Sequence, residues 1–251
     1  LSAMINNKII IQEKTECFYI YRLNKYNKNQ YGIVTSIEFD EGNKKILKHE
    51  AIFKSRSTSI LETIEHTKMQ IGPVYLSYNE KINLDSIFNR YIAKKPLYKF
   101  KTAGGTTRSL WRVSDQKDIY LIKKKLSNIK KLYIADGHHR YAAIENLSKK
   151  INKKAHKKKK LSLLAAIFSK DEVNILSFHR LVKFKKFNKK SFLHGLKNTF
   201  LLKRESKFRT PCKPGSIMMY VKSQWYNISL QSNDKVYSTV SYTHLTLPTK
   251  A

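Results

Sequence analysis

The chain contains few cysteines and no long apolar run. Its two cysteines, Cys17 and Cys212, are isolated and fit neither a disulfide framework nor a metal-binding motif. We therefore expect a reducing, cytoplasmic location. No apolar stretch approaches the roughly 18 residues of a membrane-spanning helix, so we expect no membrane partner. The first eleven residues also lack the basic start and apolar stretch of a secretory signal.

Acidic residues and arginines are also scarce. Fifty lysines and arginines stand against 18 acidic residues, which gives a net charge of +32. This charge favours a polyanion partner, and the lysine runs at residues 149–160 and 183–190 predict non-specific nucleic-acid binding. Codon composition is the stronger explanation, because only nine of the fifty are arginine and Lys, Asn and Ile, whose codons are AT-rich, are all abundant.

Strand and helix patterns are mixed along the chain, which predicts an α+β or mixed α/β fold with hairpins and strand–helix units. Strands are predicted at residues 16–23, 30–40, 44–52, 73–78, 132–135, 161–168, 173–182, 217–221, 225–230 and 235–241. Helices are predicted at residues 57–72, 83–95, 115–128 and 189–203, with Ser114 as the cap of the third. The last stretch, residues 240–251, loses the lysine-rich character of the chain and resembles a translated adapter sequence. We therefore predict one partial domain at residues 1–239, a non-native tail, and a fragment of a longer protein.

The motif most indicative of chemistry is Asp136-Gly137-His138-His139-Arg140. It separates the apolar run "LYIA" from a helical pattern that begins "YAAI". The first N–H groups of a helix have no internal acceptor and favour an anion. Gly137 lets the backbone approach a ligand, and Arg140 offers a planar fork for a phosphate group. These residue types predict a phosphate-binding or phosphoryl-transfer site.

Within this motif, His138 and His139 are candidate donors or proton acceptors near neutral pH. Asp136 is a candidate helix cap, hydroxyl ligand or Mg²⁺ ligand. A simple turn with solvated histidines explains the motif about as well. Zinc binding is less favoured because adjacent histidines on a helix point about 100° apart. No Gly-x-Ser-x-Gly elbow is present, which disfavours a serine nucleophile.

The segment "LYIADGHHRYAAI" resembles the signature of a bacterial and archaeal family, domain of unknown function 1015. Five further segments agree with that family in order: "FYIYRL", "QYGIVTSIEFDEGNKKILKHEAI", "QIGPVYLSY", "SLWRV" and "VNILSFHRLV". The resemblance covers about residues 16–185. The glycine–histidine–arginine element of that family is itself similar to one in the ParB/sulfiredoxin-like superfamily, which includes nucleotide-binding partition proteins and free-serine kinases.

This resemblance implies phosphoryl transfer from a nucleotide, ATP or ADP with Mg²⁺, to a small hydroxyl metabolite. Glu50 matches the acidic member of a His-Glu pair of the family, which makes it a candidate base or Mg²⁺ ligand, with Asp136 and His138 as the other candidates. An ordinary surface carboxylate explains Glu50 nearly as well. His179 and Arg180 match a second His-Arg pair and are expected, with Gly137, His139 and Arg140, to bind phosphate or nucleotide. The alternative for this pair is that it only ends a strand with satisfied polar groups. The alternative is a non-catalytic nucleotide- or nucleic-acid-binding module.

The chain departs from the family pattern at two positions. Ile52 stands where the family usually has threonine, and the acidic residues that follow are replaced in "FKSRSTSI". Arg108 stands where the family has a histidine before Leu-Trp. These departures bear on activity and metal binding more than on the fold.

Overall fold

The computed structural model describes residues 2–39, 45–49, 52–153, 160–173, 179–211 and 215–230. Two compact units divide the chain, the first formed by Leu1–Asn174 and the second by Ile175–His244. Several predicted features lie outside the described residues: Glu50, residues 174–178 of the strand at 173–182, the strand at 235–241, the tail at 240–251 and part of the lysine run at 149–160. The division into a domain at 1–239 and a tail stays a prediction.

The first unit contains eight strands and five helices in its described part. The strands are β1 (Phe18–Lys25), β2 (Lys28–Phe39), β3 (Ile46–Leu47), β4 (Val74–Tyr78), β5 (Tyr98–Lys101), β6 (Thr107–Val113), β7 (Leu132–Asp136) and β8 (Leu161–Ser169). The helices are α1 (Ser2–Asn6), α2 (Lys54–Thr67), α3 (Asp85–Ile92), α4 (Gln116–Ser127) and α5 (His138–Lys153).

These strands form one mixed sheet in the order β3-β7-β4-β8-β2-β1-β6-β5. The β3–β7 and β4–β8 pairs are parallel, and the other pairs are antiparallel. The strands predicted at residues 16–23 and 30–40 form the hairpin β1–β2, and β5 and β6 form a second antiparallel pair around Gly104 and Gly105. The fold is therefore α+β, as the mixture of hairpins and strand–helix units predicted.

Helices α2 to α5 cover one face of this sheet. Leu76 of β4 pairs with Ile134 and Ile167, and the row continues through Ile33 and Ile20 to Trp111. Residues of α2 and α5 pack against Leu76, Ile134 and Ile167 in one buried cluster. Residues of α3 and α4 pack against Ile20, Ile33 and Trp111 in a second cluster. Burying each large apolar side chain contributes about 1.5–3 kcal/mol, so this face holds the main core.

The predicted cap of α4 was off by one residue. Asp115, not Ser114, is the N-cap, and its carboxylate accepts hydrogen bonds from the N–H groups of Lys117 and Asp118. A carboxylate at a helix N-terminus also interacts favourably with the helix dipole. The Asp115 side chain therefore supplies acceptors for N–H groups in the first turn of α4.

The second unit contains α6 (Lys189–Lys197), β9 (Phe200–Glu205), β10 (Ser216–Val221) and β11 (Gln224–Leu230). Its three strands form an antiparallel sheet in the order β10-β11-β9. The prediction of one helix over 189–203 was wrong at its end. The helix ends at Lys197, and β9 pairs with β11, because the short apolar run Phe200-Leu201-Leu202 fits a strand as well as a helix.

Candidate functional site

The Asp136–Arg140 motif forms the turn between β7 and α5. Asp136 is the last residue of β7, and His138 is the first residue of α5. Gly137 connects them with φ of 95°, a conformation that L side chains rarely adopt. The predicted strand at 132–135 and the helix start near His138 are both confirmed.

Because β3 and β7 are parallel, the strand–helix connections that follow them lie at the same end of the sheet, the edge formed by the carboxyl ends of these two strands. Ile46 and Leu47 pair with Leu132 and Tyr133, so both strands end at this edge. Helix α2 begins at Lys54, soon after β3, and contacts α5. Ligands in sheets with strand–helix connections tend to bind at the carboxyl ends of strands. Of the strand predicted at residues 44–52, only Ile46 and Leu47 pair with β7.

His49, just after β3, meets the motif directly. Its ring centroid lies 4.5 Å from that of His138, and the two rings are nearly perpendicular. The preceding residue, Lys48, forms an ion pair with Glu145 of α5 at 2.8 Å and lies over the ring of Tyr141. These contacts fix the segment after β3 against α5. Glu50 follows His49 but lies outside the described residues, so its distance from the motif stays a prediction.

The environment of His138 favours its neutral form. His138 is 4% exposed, and burial lowers its pKa to about 4, with the neighbouring His49 and His139 acting in the same direction and Asp136 opposing them. Burial also lowers the pKa of His49. Near pH 7 His138 is therefore a neutral imidazole, with one nitrogen that donates and one that accepts.

Arg140 is held by an ion pair and by two glycines. Its Nη2 donates to Asp136 Oδ2 at 2.7 Å. A Cβ atom on Gly137 would lie 2.8 Å from Arg140 Nε, and one on Gly72 would lie 3.0 Å from Nη1. The guanidinium therefore lies directly against two stretches of backbone. The sequence predicted Gly72 as the end of a helix, but α2 ends at Thr67. The contact of Gly72 with Arg140 depends on the tertiary fold.

The phosphate site predicted at the Asp136–Arg140 motif can be probed with inorganic tripolyphosphate. Replacing Gly72 with alanine is expected to lower the affinity for this probe about tenfold. The new Cβ would displace the Arg140 guanidinium, and the φ of 79° would strain the backbone. Gly105→Ala is the matched control, since Gly105 has φ of 77° but its Cβ would point into open space. Titration calorimetry on both variants measures the effect. An equal loss in the Gly105 variant would contradict a positioning role for Gly72.

His139 contacts the beginning of α2 rather than the β3 segment. Its ring lies 6.1 Å from that of Phe53, with an angle of 31° between the planes. The guanidinium of Arg56 lies 5.7 Å from the centre of the Phe53 ring. Burial, together with the positive charge of Arg56, lowers the pKa of His139. Phe53 and Arg56 were missed from sequence because nothing in the local pattern connects α2 with the motif.

The sequence matches one protein family along nearly its whole length. The model of a family described as protein of unknown function, DUF1015, matches residues 1–247. The chain belongs to this family. The match confirms the resemblance drawn from residues 16–185 and extends it in both directions. Neither a curated protein nor a solved structure gives a significant match to the chain.

In this DUF1015 chain, the two positions expected to depart from the family pattern, Arg108 and Ile52, lie in different parts of the sheet unit. Arg108 lies on β6, and its Nη1 donates to the hydroxyl of Tyr21 at 3.0 Å. Strand β6 is separated from β7 by four other strands of the sheet. Ile52 directly precedes Phe53 at the start of α2. The substitution at Ile52 is therefore the one that bears on the site at the β3–β7 edge.

Two further residues assigned to the phosphate site from sequence, His179 and Arg180, lie elsewhere in the chain. His179 and Arg180 belong to the second unit, where the His179 ring lies 6.0 Å from that of Phe208. Residues 179–182 are not a strand. A pocket shared by His179, Arg180 and the Asp136–Arg140 motif stays a prediction.

A magnesium site has limited support among the described residues. The Asp136 carboxylate is engaged by Arg140, and in the described part of the chain no group of three or more His, Cys, Asp and Glu side chains is placed to hold a metal ion. Mg²⁺ is commonly held by one or two carboxylates together with substrate phosphates. Binding of Mg²⁺ by Asp136 and Glu50 therefore stays a prediction. None of the helices in this part has the length and apolar character needed to cross a bilayer.

Proposed function

We propose that this DUF1015 protein is a nucleotide-dependent phosphotransferase that acts on a small hydroxyl metabolite, in the manner of a free-serine kinase. The observation that carries the proposal is the convergence at one sheet edge of the His49–His138 pair, the Arg140 guanidinium and the beginnings of α2 and α5. Phosphoryl transfer depends on positioning and charge neutralisation, and these groups are suited to both.

In this proposal the nucleotide phosphates lie at the start of α5. Helix α5 begins at His138, and the partial positive charge of a helix N-terminus favours an anion such as a phosphate group. Arg140 binds the phosphate through its planar fork, whose orientation Asp136 fixes. Mg²⁺, when bound with the nucleotide, would neutralise further phosphate charge.

The chemical step transfers the terminal phosphoryl group of ATP or ADP. The hydroxyl oxygen of the acceptor forms a bond to phosphorus, the bond to the bridging oxygen breaks, and the nucleotide leaves with one phosphate fewer. The hydroxyl proton passes to a base, for which Glu50 and His138 are the candidates. A pKa of about 4 makes His138 a weak base in the free protein, but a bound anion raises the pKa by favouring the imidazolium.

A ligand-dependent melting experiment tests the proposal. ATP, ADP and tripolyphosphate, each with Mg²⁺, are expected to raise the melting temperature, because a ligand at 100 times its Kd stabilises the folded state by about 2.7 kcal/mol. Addition of serine and other small hydroxyl compounds to the nucleotide complex should then produce a phosphorylated product detectable by mass spectrometry. Absence of any shift with all three phosphate compounds would contradict the proposal.

A second candidate function is non-specific nucleic-acid binding by the second unit. Tyr220 and Trp225 pair across β10 and β11, with ring centroids 4.7 Å apart, and Phe208 packs on Trp225 at 5.2 Å. Glu205 is the one acidic residue among many lysines in the described part of this unit. Aromatic rings with a basic surround are typical of single-strand binding. Salt-sensitive binding of oligothymidylate, with no response to ATP, would favour this second function.

A further inference from the structure

The start of α2 contains a residue that the fold does not explain. Phe53 occupies the N-cap position, where Ser, Thr, Asp and Asn are preferred because their side chains satisfy the free N–H groups. Among the described residues, no side-chain cap bond is made at this helix end. The Phe53 side chain is also 68% exposed, so it contributes little to the core. Neither helix capping nor burial therefore accounts for a phenylalanine at this position.

The contacts of Phe53 connect it with the candidate phosphate site. Its ring is tilted by only 31° against that of His139, and His139 is the residue before Arg140. Arg56, one turn into α2, lies with its guanidinium 5.7 Å from the same ring. Two flat rings and a flat cation thus meet beside the start of α5. Nucleobases stack on such groups, through aromatic and cation–π contacts.

We propose that Phe53, with Arg56 and His139, forms the stacking site for the base of the nucleotide. This inference rests on the proposed function, because it places the phosphates of the same nucleotide at Arg140. The exposed face of Phe53 takes the base, and His139 supports the ring from the α5 side. Arg56 adds positive charge beside the ribose and first phosphate. The ligand class is a purine or pyrimidine nucleotide, as opposed to a phosphorylated metabolite without an aromatic ring.

The experiment compares ATP with inorganic tripolyphosphate, which has the phosphates without the base. Binding of each is measured by titration calorimetry on the whole chain. Phe53→Ala is expected to weaken ATP binding by about 5- to 150-fold, which corresponds to the loss of one stacking contact, and to leave tripolyphosphate binding unchanged. Phe53→Trp should retain ATP affinity. Phe100→Ala, which removes an exposed phenylalanine from β5, is the matched control and should change neither affinity.

Phe53→Ser separates the ligand role from the fold. Serine is a good N-cap, so this variant should melt at the same or a higher temperature than the natural chain while ATP binding is weakened. Equal losses for ATP and tripolyphosphate, or no loss for either, would overturn the inference. Tripolyphosphate binding as tight as ATP binding in the natural chain would also overturn it, but would leave the anion site intact. Failure of both compounds to bind would overturn the proposed function as well.

Discussion

Replacing Arg140 with alanine is expected to weaken ATP and tripolyphosphate binding by at least about 100-fold. A charge-assisted hydrogen bond contributes about 1.5–3 kcal/mol, and the planar fork can make two to one phosphate group. The variant also leaves the Asp136 carboxylate without its 2.7 Å partner, so a negative charge at the site repels the phosphates. Arg140 is partly exposed and contributes little to the core, so the melting temperature should change little. Titration calorimetry measures both affinities.

Two further variants make the Arg140 result specific. Arg140→Lys keeps the charge but loses the fork, so it should recover only part of the affinity. Arg112→Ala removes the same charge from an exposed ion pair with Glu13 and should leave phosphate binding unchanged. Equal affinity in the natural chain and the Arg140→Ala variant would show that phosphate binds elsewhere. An equal loss in the Arg112 variant would instead indicate a general effect of net charge.

The local part of the site could be predicted from the sequence. An apolar run, an Asp-Gly pair and a helical pattern define the strand, the turn and the helix start through short-range preferences alone. The same holds for the hairpins, whose alternating residues indicate one covered face.

The long-range part of the site could not be predicted. Strand β3 has only two residues in the ladder, so no periodicity shows that it pairs with β7. The contacts of His49 with His138 and of Gly72 with Arg140 join segments that are far apart in sequence. Phe53 looked like an ordinary loop residue, and its position as a helix N-cap depended on α2 starting three residues before the predicted boundary. Tertiary pairing therefore decided which side chains meet.

The histidine pair has a consequence for stability as well as for binding. A buried neutral imidazole resists protonation in the folded chain, whereas the same histidine in the unfolded chain titrates at its ordinary pKa of about 6.5. Below that pH the unfolded state binds more protons than the folded state, so stability falls as the pH falls. The fall ends near the folded pKa of His138, about 4. Phosphate binding should oppose it, since an anion raises the folded pKa.

Between pH 7 and pH 4, His138 is therefore expected to reduce the free energy of unfolding by about 3 kcal/mol. The burial that lowers the pKa of His49 adds to the effect, and the loss of paired carboxylates adds more near the lower limit. Urea unfolding of the natural chain and of His138→Gln across this range isolates the contribution, because the variant keeps every carboxylate. The natural chain should lose about 3 kcal/mol more than the variant. Parallel pH profiles would mean that His138 is protonated in the folded chain near its ordinary pKa, which would remove the argument that the site holds a neutral imidazole until an anion arrives.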